Sequence, residues 1–278
     1  MVTTRSQNKS PEPNPGEKRP HTKAATVQAQ EPEAKQQKTE SSNKLKSDAE
    51  NEDDKGDEQH ANAESLSNPK IRQLISQYGE LPLIQTDLSD PDKPTPDTVL
   101  ALLLNAMLSS SRISHALAAR TVDLVIKAGY HKLDVLKKST WEERTEVLTE
   151  GGYTHYREKT ATMMGDLARL IEDKYAGDLN TILRLTSEDT VKIRAELKSI
   201  KGLGDVGINI FFDTVQHIWT CLAPFVDPRS LKAAKEIGIG DDVHVLWKEV
   251  SEDPEQMCRL AAALTKLRLD GKEKEFKD

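Results

Sequence analysis

The chain has 278 residues, 31% of them charged and 36% hydrophobic, with a formal net charge of −7, which points to one good-sized domain plus a polar appendage. Its two cysteines, Cys221 and Cys258, lend no support to a disulfide framework or a cysteine-rich metal site, and they fit a reducing intracellular compartment. No signal-peptide core opens the sequence, and the best apolar run, Val99 to Leu104, is too short to span a membrane.

The charge is unevenly placed. Residues 1–46 carry a balance of +4, residues 47–66 a balance of −7, and the remainder about −4. A mildly acidic domain still binds a polyanion where a local stripe is basic, because contact depends on the local field. Residues 1–66 are rich in Pro, Gln, Ser, Lys and Glu and nearly devoid of large apolar side chains, so they are predicted to form a disordered polar tail. Its basic half, around Lys18-Arg19, suits an ordinary solvated tail or a nuclear address.

Helical patterning begins at Asn68-Pro69, with Ile71, Leu74 and Ile75 on one face and Gly79 as the stop. Pro91, Pro94 and Pro96 mark an extended linker. Asp97 to Leu108 reads as a helix buried on nearly all sides, and Ile113 to Ala128 as the next. Short helices follow near Leu133–Leu136 and Trp141–Leu148, then a long amphipathic one from Thr154 to Tyr175. Helices near Leu179–Leu185 and Ser187–Leu197 lead to a turn. After Asp227 come helices near Arg229–Ile237, Val243–Val250 and Pro254–Leu269. No stretch alternates as a strand does, so the fold class is all-α, with residues 67–278 as the domain.

The turn is Gly202-Leu203-Gly204, within a hairpin spanning about 192–212. Its glycines reach backbone conformations closed to other residues and leave the chain bare. The first N–H groups of the helix that follows have no intrahelical partner and sit at the positive end of its dipole, where a phosphate fits. Lys192, Arg194, Lys198 and Lys201 add charge nearby. The hairpin, with Asn105-Ala106-Met107-Leu108-Ser109-Ser110, Gly152-Tyr153 followed by Tyr156-Arg157-Glu158-Lys159, and Val226-Asp227 followed by Arg229, Leu231 and Ala234, resembles the helix–hairpin–helix/Gly-Pro-Asp superfamily of DNA glycosylases. The likeness is nearest to the endonuclease III branch and runs roughly from Pro96 to Leu269.

That resemblance implies a two-lobed helical glycosylase fold and a base-excision function on duplex DNA carrying a damaged or mismatched base. It implies hydrolysis of the N-glycosidic bond by a monomer in the nucleus. Lys198, Lys201, Gly202, Leu203, Gly204, Val206 and Gly207 would meet the DNA backbone. Asp227, in the segment 224–238, falls on the family's catalytic aspartate. By local sequence alone, Asp227-Pro228 is an ordinary helix cap; the roles are compatible, since N–H donors favour the carboxylate form. A fixed carboxylate stabilises the cationic sugar that develops as the base leaves.

The departures carry equal information. Endonuclease III-type members place a Schiff-base lysine where this chain has Val206, which offers no amine, so a monofunctional enzyme without the strand-cleaving step is expected. No four-cysteine loop follows the last helix, so no iron–sulfur cluster or other cofactor is expected. His115, His155, His217 and His244 lack metal-ligand spacing. Met107 stands where relatives fill the gap left by a flipped base; it reads either as an apolar wedge or as a core side chain. Ser109 and Tyr153 are candidates for the lesion pocket, with capping and core packing as their plain alternatives. Loss of the lysine leaves a second reading open, a DNA-binding module without catalysis.

Overall fold

The computed structural model describes residues 66–277. The expected tail, with the basic segment at Lys18-Arg19, lies outside the described residues except at its last position. Leu66, placed in the tail by composition, is buried against the second of two cores described below, so the domain begins at least one residue earlier than expected.

Among the described residues every regular element is helical. The α-helices run α1 (Pro69–Tyr78), α2 (Pro96–Ser109), α3 (His115–Lys127), α4 (Leu133–Lys138), α5 (Trp141–Glu150), α6 (Arg157–Tyr175), α7 (Thr181–Thr186), α8 (Thr190–Lys198), α9 (Asp205–Val215), α10 (Pro228–Glu236), α11 (Val243–Glu249) and α12 (Pro254–Asp270). Their starts follow from capping chemistry. Asn68, Thr95, Asp227 and Asp253 each accept a backbone N–H from the first turn ahead of a proline at the helix start, and Thr140 with Glu143 forms a reciprocal capping box. No helix among the described residues is long and apolar enough to cross a membrane.

Two hydrophobic cores result. The larger is built on α2, whose Leu102, Leu103 and Leu104 are all essentially inaccessible because the helix is wrapped by α3 on one side and α9 on another. Around it pack α5 on α6, α3 on α5, α4 on α6, and α7 on α8. Burying a leucine completely contributes about 1.5–3 kcal/mol, so this one helix anchors the larger core. The smaller core joins the two ends of the described chain: α1 packs on α12, α12 on α10, and Leu66, Leu74, Ile237, Leu246 and Leu264 fill the space between.

One element serves both. Helix α9 packs on α2 and α8 through one part of its surface and on α12 through another. Its sequence, DVGINIFFDTV, is apolar nearly all round, as a helix between two cores must be.

Candidate functional site

At the N-terminal end of α9, residues 199–204 turn the chain back from α8. Gly202 has φ +88, the left-handed region, and a Cβ there would stand 2.4 Å from the Met163 sulfur. Gly204, by contrast, has an extended backbone and open space where a Cβ would lie. No side chain caps α9, so the N–H groups of its first turn face outward beside the bare Gly204. Val206 is half-exposed on this turn.

The hairpin's other expected contacts divide. Lys198 and Lys201 are exposed, but each holds a carboxylate: Lys198 Nζ is 2.9 Å from Asp205 Oδ1, and Lys201 Nζ is 3.2 Å from Asp166 Oδ2. Arg194 is occupied by Asn209, with its guanidinium 4.6 Å from the Phe212 ring centre. Leu203 and Gly207 are buried, and a Cβ on Gly207 would stand 2.8 Å from Leu203 Cδ1 and 3.5 Å from the Ala106 carbonyl. Both let α9 lie close on α2, so any contact they make with a ligand is through the main chain.

Met107 takes the core place, one of the two that its sequence allowed. Only 4% exposed, it sits in the larger core beneath Gly202, too deep to enter a base stack. Tyr153 is buried as well, its hydroxyl shared with Ser111 and Thr160, so it braces the start of α6 from inside rather than lining a pocket. Ser109 does line a cavity, donating to Asn105 Oδ1 at 3.1 Å.

That cavity, about 400 Å³, lies between the two cores. Asn105 and Ser109 of α2, Ile210, Asp213 and Thr214 of α9, Arg229 of α10, and Lys266 and Arg268 of α12 line it, with residues 80–86 along another wall. Asp213 and the hairpin turn are on the same helix, roughly 12 Å apart along its axis by the helical rise.

Asp227 stands directly behind Arg229. Its main-chain N–H donates to Asp213 Oδ1 at 2.8 Å, which ties the loop after α9 back onto α9. Gln216, fully buried, reinforces the tie by donating to the Phe225 carbonyl and accepting from the Phe225 N–H. The Asp227 side chain is 2% exposed, and Arg229 holds both of its oxygens: Nε reaches Oδ1 and a terminal nitrogen reaches Oδ2, each at 2.9 Å. The Arg229 main-chain N–H adds a third bond to Oδ1 at 2.7 Å. Burial pushes the Asp227 carboxyl up, but these bonds and the charges of Arg229 and Arg268 outweigh it and hold the group below the ordinary carboxylate range. Its neighbour goes the other way. Burial, and then the Asp227 charge, raise the Asp213 carboxyl well above that range.

Three members of this cluster escape sequence inspection. Asp213 and Gln216 carried a faint signal, as polar residues in or beside an otherwise apolar helix; Arg268 carried none. Its Nε is buried without a hydrogen-bond partner, and burial pushes the guanidinium below its ordinary value. Among the described residues no group of three or more His, Cys, Asp or Glu side chains is placed to hold a metal ion. No family model matches the chain, and no curated protein matches it.

Proposed function

We propose that residues 66–277 bind duplex DNA through the α8–α9 hairpin, hold an extrahelical base in the cavity between the two cores, and hydrolyse its N-glycosidic bond with Asp227 as the assisting carboxylate. The observation that carries this reading is the layout of α9. One end presents bare backbone and uncapped N–H groups to solvent, and the other meets an aspartate pair beside a cavity of about 400 Å³. Such a volume lies within the range of small-ligand sites and suits one nucleobase. The split of the chain, with α1 joining α10–α12 around a continuous α2–α9 bundle, fits the two-lobed glycosylase arrangement that the sequence resembles.

Arg229 sets a condition on the chemistry. With both Asp227 oxygens occupied, no water or sugar reaches the carboxylate until the guanidinium turns away. Arg229 is half-exposed on the cavity wall, so a DNA phosphate entering there competes for it with a charge-assisted bond of the same kind. Once released, the carboxylate faces the sugar cation that forms as the base departs.

The same clamp, with Val206 in place of an amine, favours a second reading in which the domain binds DNA and leaves the glycosidic bond intact. Single-turnover assays on duplexes carrying a panel of damaged and mismatched bases separate the two. Abasic sites formed by the wild type and lost in Asp227→Asn support hydrolysis. Duplex binding without release from any substrate supports the second reading, and no duplex binding at all rejects both.

A further inference from the structure

Resting on the hydrolytic reading above, we infer that Asp213 is the proton donor to the departing base, and that the site accordingly takes an uncharged base rather than a cationic, N-alkylated one. Asp213 is the acid that α9 contributes to the cavity wall, where a base would stand. Its Oδ1 accepts the Asp227 N–H, which leaves Oδ2 as the oxygen to carry a proton. The groups around it maintain that proton. Asp227 lies beside it as a carboxylate, while the hydrogen bond from the Asp227 N–H and the charges of Arg268 and Arg229 act in the opposing direction. Burial and the Asp227 charge prevail, so the carboxyl is pushed towards its protonated form.

Of the cations that line the cavity, Arg229 is paired with Asp227 and Lys266 with Asp270, so the class of base follows from the proton donor. A neutral base is the poorer leaving group and gains most from a proton.

The bond between the sugar C1′ and the base nitrogen breaks with both electrons going to the base, while the Asp213 proton passes to the base. The resulting sugar cation faces the Asp227 carboxylate. Water adds to C1′ and loses a proton to solvent, from which Asp213 is reprotonated.

Single-turnover release is measured with the full chain on duplexes carrying uracil, hypoxanthine, 8-oxoguanine, or adenine opposite 8-oxoguanine, with 7-methylguanine as the already cationic comparison. Wild type is expected to release at least one uncharged base faster than 7-methylguanine, with a rate that falls towards high pH. Asp213→Asn keeps the acceptor for the Asp227 N–H. It should slow that release by about 10² or more, abolish the alkaline fall, and leave duplex affinity within about twofold. Release by the wild type with an unchanged rate and pH profile in the variant would overturn the role of Asp213 while leaving the hydrolytic reading standing. No release of any base by the wild type would overturn both. Should the variant not fold, carboxyl-carbon NMR of the aspartate-labelled wild type decides: a neutral aspartate at pH 7 is expected, and its absence would overturn the assignment.

Discussion

Gly202 and Gly204 stand two residues apart and answer to different constraints. At Gly202 the left-handed backbone and the Met163 sulfur leave no room for a side chain, so Gly202→Ala is expected to destabilise the domain by about 1–3 kcal/mol, read as a lower urea midpoint. At Gly204 nothing within the molecule forbids a methyl group. Gly204→Ala should therefore leave the urea midpoint within the error of measurement yet weaken duplex binding, since the side chain would stand between the backbone and a phosphate. Unchanged affinity in Gly204→Ala would show that no ligand approaches there. Arg229 offers a sharper test. In Arg229→Gln the Asp227 carboxylate keeps its main-chain partner but loses the guanidinium that pulls it down, so its pKa should rise towards the ordinary range. A titration of Asp227 by NMR that shows no upward shift would mean the pair is too mobile in solution to hold the proton off.

Helices α8 and α9 bring charge to the hairpin in a form that partly cancels itself. Asp205, at the first position of α9, sits where the dipole and the free N–H groups favour an anion, and it holds Lys198 there. A phosphate must displace it. Asp205→Asn is thus expected to tighten duplex binding about two- to fivefold, whereas Lys201→Glu should weaken it on every sequence and reduce the salt slope by roughly one. Looser binding in Asp205→Asn would mean that Asp205 organises Lys198 rather than competing with the ligand. The helices themselves were legible from the chain: Ile71, Leu74 and Ile75 recur at helical spacing, α2 is apolar from Val99 to Leu104, and Asp227-Pro228 spells a helix start. Even the turn at Gly202 follows from its residues. What spacing does not carry is which element packs on which. Met107 lies on a helix apolar on nearly all sides, so only the placement of α9 over it separates core from surface. Lys201 meets Asp166 across 35 positions of sequence, and Arg229 folds back on the carboxylate two residues before it. Local pattern has no term for either contact.

An aspartate pair joined by a hydrogen bond lies where the two cores meet on α9, and it gives the whole molecule a pH dependence that runs against the usual one. Asp227 is held below its unfolded pKa, so the stability it contributes is present at neutral pH and is lost as pH falls through its folded value. Asp213 is raised. Below the unfolded carboxylate pKa both states of the chain carry its proton and the group costs nothing electrostatically; as pH rises towards the folded value only the unfolded chain ionises, and folding loses ground. The loss amounts to about 1.4 kcal/mol for each unit between the two pKa values. Asp213→Asn removes this liability while preserving the acceptor for the Asp227 N–H. Urea denaturation should find the variant and the wild type alike near pH 4, with the variant gaining as pH rises above the ordinary carboxylate range. A gap that stays constant over that rise would mean Asp213 is ionised in the folded protein, balanced by Arg229 and Arg268. The seam would then be held by a buried ion cluster, and breaking it by the same substitution should cost stability at neutral pH rather than add it.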